Sequence, residues 1–215
     1  MENNRTDPAA NRPLFSVVAL RGDHFGPISI KLDVRECVVV TGPSGSGKSL
    51  FLRALADLDP NEGDLWLDST SRQDIAPAQW RRRVGLLPAE SHWWAPTVGE
   101  HFPAHNGIQM IPELGFERGV LDWSVARLSS GERQRLALLR VLANLPRVLL
   151  LDEPTANLDK TNVRRVETLI QAYVEDNDAC VLWVSHSKSQ ARRVAGRVIH
   201  FSSGRLDLGS ENGHD

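Results

Sequence analysis

Apolar residues fall on every second position from Ile28 to Val34, at Ile28, Ile30, Leu32 and Val34. That spacing predicts a strand with one buried face. Leu14–Leu20 reads as the strand before it. Cys37–Thr41 has no alternation; it is a continuous, largely β-branched run, the pattern of a strand covered on both faces. A glycine-rich turn follows, then a helix from about Lys48 to Asp57 that stops before Pro60 and Gly63. Asp64–Leu67 is a short strand. Pro77–Arg82 is a helix with proline in its first turn, and Arg83–Leu87 is another strand.

The pattern breaks between Glu90 and Arg127, where Pro96, Pro103, Pro112 and several glycines interrupt any periodicity. This segment reads as a short, mostly helical insertion. Regular periods return at Ser130–Asn144, a helix apolar on most of its surface and therefore buried. Arg147–Asp152 and Ala179–Ser185 are buried strands. Between them Val163, Val166, Ile170, Tyr173 and Val174 mark the inner face of a helix from about Asp159 to Asn177. A helix near Ser187–Ala195, a strand Arg197–Phe201 and a hairpin at Ser202–Gly204 complete the series. Strands alternating with helices imply an α/β fold with a largely parallel sheet and helices on both faces.

Composition narrows the reading only a little. With 41% hydrophobic and 24% charged residues, the 215-residue chain belongs with globular proteins and has room for one substantial domain. A net charge of −2 gives no global bias towards nucleic acid or an anionic membrane. Cys37 and Cys180 sit beside apolar runs and read as small buried hydrophobes, with no metal or disulfide spacing. The leader, residues 1–13, is polar and expected to be disordered; residues 209–215 read as a tail. No run approaches the roughly 18 apolar residues of a membrane span. A cytoplasmic location follows, and work at a membrane would need spanning helices from another chain.

Two stretches carry chemistry. Gly42-Pro43-Ser44-Gly45-Ser46-Gly47-Lys48-Ser49 fits G-x-x-x-x-G-K-[ST], follows a buried strand and opens the helix that begins near Lys48, with Leu50 next to it as a further nucleotide-binding candidate. Glycines let backbone N–H groups turn inward onto phosphate oxygens, and the helix N-terminus adds a favourable dipole. Lys48 is placed to reach the terminal phosphates, and the Ser49 hydroxyl to ligate Mg²⁺. Val148–Asp152 ends a buried strand on a carboxylate, Asp152, which is placed to hold Mg²⁺ through water. Glu153 comes next, where a carboxylate polarises an attacking water. ATP and Mg²⁺ are the expected ligands, and the chain reads as an ATPase.

Between them, Leu128-Ser129-Ser130-Gly131-Glu132 opens a helix with small residues. The order GPSGSGKS, LSSGE, VLLLDEPTANLD, VLWVSH resembles the ATP-binding subunit of an ABC transporter, over roughly residues 14–205. The resemblance implies a phosphate-loop NTPase core with an N-terminal antiparallel β part and a helical insertion, at about residues 90–144, carrying the signature motif, in one domain over residues 14–208. It implies that Ser129, Ser130, Gly131 and Glu132 contact the γ-phosphate of ATP held by a second copy of the domain. Ala156–Asp159 would cross that interface, and His186 would hydrogen-bond the γ-phosphate. It further implies a separate integral membrane permease as partner, a head-to-tail ATP-bound dimer, no nucleic acid, and a peripheral position at the inner face of the membrane. The competing function class is a soluble ABC ATPase acting on nucleic acid or the ribosome; a third is a weakly hydrolysing regulatory module.

The sequence departs from the family at three places. Ala89, followed by Glu90, stands where the family usually has a metal-contacting Gln. His24 and Phe25 are the nearest candidates for the aromatic residue that stacks on adenine, and either reads equally as packing. Ser130 replaces the first signature glycine. His92, Trp93 and Trp94 lie in the segment that docks on the membrane partner in the family; the two tryptophans read either as interface anchors or as local core.

Overall fold

The structure is a computed structural model describing residues 13–102 and 108–207. The expected leader, apart from Pro13, and the expected tail lie outside the described residues, as does Pro103. The elements run β1 (Phe15–Gly22), β2 (Phe25–Leu32), β3 (Cys37–Thr41), α1 (Lys48–Leu55), β4 (Glu62–Leu67), β5 (Thr70–Ser71), α2 (Pro77–Arg83) and β6 (Val84–Leu87). After the insertion come α3 (Ser130–Leu142), β7 (Val148–Asp152), α4 (Lys160–Asp176), β8 (Cys180–Val184), α5 (Lys188–Val194), β9 (Arg197–Ser202) and β10 (Arg205–Asp207).

Two sheets result. A four-stranded antiparallel sheet has the order β2-β1-β4-β5. A six-stranded sheet has the order β10-β9-β3-β8-β7-β6 and is parallel except for the β9–β10 hairpin. The continuous apolar runs sit where both faces are covered. Alternation along each strand then splits them: Val38, Val40, Val148, Leu150, Cys180, Leu182 and Val184 face one core with α1, α2 and the antiparallel sheet. Val39, Leu149, Leu151, Val181 and Trp183 face the other, with α3, α4 and the insertion.

Trp80 of α2 joins the first core. It is fully buried, its Nε1 donates to Leu55 O at 3.0 Å, and its ring tilts against Phe15 at 6.1 Å. Trp80→Ala should therefore cost about 3–5 kcal/mol of unfolding free energy, the range for emptying a buried aromatic site. Chemical denaturation measures it; a loss under 1 kcal/mol would show that the site collapses around the smaller residue.

The insertion is helical only in short pieces. Among the described residues it forms 3₁₀ turns at 99–101, 108–110, 112–114, 118–122 and 125–127 and no α-helix. Its prolines and glycines break longer runs. What holds it is burial: Val98, Ile111, Leu114, Phe116 and Val120 pack into the second core. Arg135 of α3 lies over the Phe116 ring, 4.4 Å from its centroid, and donates to Leu114 O.

Three sequence expectations are refined. Val163 is only partly buried, and the inner face of α4 takes in Glu167 instead. Cys180 is buried, but Cys37 is half-buried at the start of β3, where burial pushes its thiol up to about 12. Of the two tryptophans, only Trp93 fits the local-core reading. Trp93 packs against the second core, whereas Trp94 is 73% exposed.

Candidate functional site

Parallel strands β3, β8 and β7 lie side by side in register, with Val40 opposite Val184 and Val184 opposite Asp152. Their carboxyl ends are thus level, and three loops leave the sheet together. Ligands of open α/β sheets bind at such a carboxyl edge.

The loop after β3 is Gly42–Gly47. Gly42 has φ +149°, and a Cβ there would lie 2.0 Å from Phe201 O of β9, so only glycine fits. Gly45 has φ +73°, a conformation that favours glycine, and a Cβ there would meet nothing within 4 Å. Pro43, Ser44 and Gly45 are exposed, and Ser46 N donates to Pro43 O at 3.4 Å. Gly47 sits at the start of α1, where no side chain caps the helix. Leu50 is exposed in the first turn.

Lys48 turns back over this loop. It is 6% exposed, and its Nζ donates to Gly42 O at 3.1 Å and Pro43 O at 2.7 Å. Burial lowers its pKa from the ordinary 10.5, although Glu153 and Asp152 pull the other way. Asp152, buried at the end of β7, shifts oppositely. Burial raises its pKa above the ordinary 3.8, while a hydrogen bond from Ser49 and the charge of Lys48 resist. Each charged group is thus desolvated, and among the described residues neither forms an ion pair within 4.0 Å. An anion at Lys48 and a divalent cation at Ser49 and Asp152 would complete both, so the residues present fit a metal-bound polyphosphate.

Glu153 follows in the left-handed region at φ +50°. A residue held there carries of order 1–3 kcal/mol of strain and persists because its surroundings enforce it. Its N–H donates to Val184 O at 3.2 Å, and its carbonyl accepts from Ala156 N at 3.0 Å. Its Oε1 lies 3.0 Å from His186 Nε2, on the loop after β8.

Lys48, Ser49, Asp152, Glu153 and His186 therefore converge. The other candidates do not. Ser129, Ser130, Gly131 and Glu132 start α3 in a capping box. Ser129 Oγ accepts from Glu132 N at 3.3 Å, and Glu132 Oε2 accepts from Ser129 N at 2.8 Å. Ser129 and Ser130 are exposed. Among the described residues, no hydrogen bond or ion pair joins Ser129–Glu132 to Gly42–Ser49, Asp152, Glu153 or His186. Their neighbour is instead the Ala156–Asp159 loop: a Cβ on Gly131 would lie 3.0 Å from Leu158. Ala89 and Glu90 are exposed where the chain leaves β6.

The two aromatic candidates for base stacking differ. Phe25 is buried edge-on against Phe51, with centroids 5.7 Å apart, and serves packing. His24 is exposed, on a shallow depression it shares with Ser203 and Gly204. That hairpin reaches the phosphate loop, since Gly204 N donates to Ser46 O at 3.3 Å.

The family model described as "ABC transporter" matches residues 25–156. The phosphate import ATP-binding protein PstB of Aeropyrum pernix is 32% identical over 209 residues, covering 83% of this chain and 81% of that protein. The probable iron export ATP-binding protein FetA of Escherichia coli K12 is 33% identical over 206 residues, covering 88% of this chain and 91% of that protein. Among solved structures, a bacterial Atm1-family ABC exporter with ATP bound superposes with a TM-score of 0.77 at 23% identity. It covers 91% of this chain and 38% of that one, a likeness of fold.

Proposed function

Since this chain belongs to the ABC transporter family and is an ATP-binding, ATP-hydrolysing subunit that powers transport, we propose that Gly42–Ser49 and Asp152 hold Mg-ATP and that Glu153 and His186 carry out its hydrolysis. The observation that carries this reading is the convergence of Lys48, Ser49, Asp152 and the Glu153–His186 pair at one edge of the sheet.

The backbone N–H groups of Gly42–Gly47 and the ammonium of Lys48 bind phosphate oxygens. Lys48 exchanges two carbonyl contacts for an anion there. Ser49 and Asp152 hold Mg²⁺, which when bound neutralises charge on the terminal phosphates. Glu153 accepts the proton of the attacking water as general base. His186, through the nitrogen that now faces Glu153, donates a hydrogen bond to the γ-phosphate.

Ser129–Glu132 stand at an exposed helix start that suits a phosphate and, among the described residues, make no hydrogen bond or ion pair with the chain's own phosphate loop. A second ATPase domain, identical or homologous, supplies the missing phosphates head to tail. The membrane-spanning part belongs to a separate permease: no helix among the described residues is long and apolar enough to cross a membrane. Exposed Trp94 on the insertion fits a docking face for that partner. Both the import and the export named for the relatives are open to this chain, because the permease sets substrate and direction. Purification from membranes tests the partner: a multi-span protein should co-purify, and a chain recovered alone from the soluble fraction would overturn the transporter assignment.

The Ala89–Glu90 step gives a second test. Leu87 pairs with Leu151, so Pro88–Glu90 leave the sheet beside the end of β7. If Glu90 swings in to replace the absent amide, Glu90→Ala lowers steady-state ATPase at least about tenfold, roughly 1.4 kcal/mol. Ala89→Gln then restores part of it. Parental turnover in Glu90→Ala would remove Glu90 from the site.

A further inference from the structure

We propose that Gln190 is a positioning residue for hydrolysis: its buried amide clamps the segment carrying Glu153 to the segment carrying His186. The proposal rests on the roles given above to those two residues.

Gln190 is 4% exposed, in the first turn of α5. Its Nε2 donates to Thr155 Oγ1 at 2.9 Å and to Glu167 Oε1 at 3.0 Å. Its Oε1 accepts from Ser185 Oγ at 2.8 Å and from Thr155 Oγ1 at 3.2 Å. Both amide donors and the carbonyl oxygen are thus engaged, and the orientation is set by chemistry. Glu167 as a carboxylate only accepts, so the NH₂ must face it.

Thr155 lies two residues beyond Glu153, and Ser185 immediately precedes His186. The strand ladder stops supporting these loops just where they begin. Asp152 is the last residue of β7 paired with β8, and Glu153 N→Val184 O follows it. Among the described residues, the side-chain links from residues 153–159 to residues 185–190 are the His186–Glu153 contact itself, at 3.0 Å, and the Gln190 hydrogen bonds with Thr155. Through its bonds to both Thr155 and Ser185, the amide bridges the two loops from behind. This matters for a pair whose acidic member sits in a strained backbone conformation.

The clamp is itself anchored. The Glu167 side chain is 8% exposed and takes Arg193 Nη2 at 2.6 Å and Arg164 Nη1 at 3.1 Å. Burial alone would raise its pKa, but hydrogen bonds from Arg193 and Gln190 and the charges of Arg193 and Arg164 outweigh that and hold it below the ordinary value. A second carboxylate at position 190 would meet this charge directly, which explains an amide there. Helix capping does not explain it. The cap of α5 is made by Ser187 Oγ accepting from the Gln190 backbone N–H, which any residue but proline supplies.

The phosphate grip, Gly42–Ser49, lies on other elements, so the clamp should govern turnover and leave nucleotide affinity alone. In the full-length chain, Gln190→Leu should lower kcat at least about tenfold, with KM for ATP and nucleotide affinity within about twofold of the parent. Gln190→Glu should show the same loss through repulsion by Glu167. Combining it with Glu167→Gln reverses donor and acceptor and should recover most of the rate. Parental kcat in Gln190→Leu overturns the proposal, as does ATP affinity falling in step with kcat. If Gln190→Leu does not fold, the exchanged pair decides: no recovery over Gln190→Glu alone overturns it. Glu153→Gln run alongside separates the two levels. Parental turnover there brings down the roles of the pair, and the clamp with them. An inactive Glu153→Gln beside a fully active Gln190→Leu removes only the clamp.

Discussion

Glu153→Gln should bind ATP with the parent's affinity and hydrolyse it about 10²–10⁴-fold more slowly, the usual contribution of a positioned general base. The replacement is isosteric. Its side chain still fits beside His186 Nε2, which the carboxylate approaches to 3.0 Å, and its backbone keeps the bonds to Val184 and Ala156. What is lost is the capacity to take a proton. The nucleotide should then persist, and in Mg-ATP the variant should elute as a dimer on size-exclusion chromatography while the parent returns to monomer. Unchanged hydrolysis would remove Glu153 from the reaction. A blocked variant that stays monomeric would argue against two identical domains and leave a heterologous pair.

Lys48→Ala should weaken ATP binding at least about a hundredfold, roughly 2.7 kcal/mol. The ammonium is almost fully buried, and among the described residues its acceptors are Gly42 O, Pro43 O and, at 3.4 Å, Ser46 Oγ, none of them charged. Burial disfavours its charge, so it gains more from an arriving anion than an exposed lysine would. Folding should survive, because deleting it removes a desolvated charge as well as those contacts. A melting temperature near the parent's together with lost binding is the expected pair of results, read by calorimetry and by titration with a fluorescent nucleotide. Binding at the parental level would refute the role of Lys48.

Contiguous features were legible before any fold was known. The strand Cys37–Thr41, the open loop Gly42–Gly47, and the placement of Lys48, Ser49, Asp152 and Glu153 at element boundaries all follow from residues adjacent in sequence. Period and turn chemistry act over a few residues, so a sequence displays them directly. The alternating and continuous apolar runs likewise announced which strands would be half covered and which enclosed. The insertion was the weakest reading, because its order comes from burial of Val98, Ile111 and Leu114 beneath α3 and α4 and from no local period.

Only tertiary structure could decide the pairings across space. His186 and Glu153 meet because β7 and β8 run in register, a relation between segments separated by the whole of α4. The same juxtaposition buries Glu167 on what reads as a polar helix position and surrounds Gln190 with Thr155, Ser185 and that carboxylate. Packing also withdrew Phe25 against Phe51 while leaving His24 in solvent, and divided Trp93 from Trp94. Adjacent residues that read alike in sequence are assigned opposite environments by whichever element happens to cover one of them. Local propensity therefore specified the elements and the phosphate cradle, and the sheet's register specified which side chains stand opposite one another at its edge.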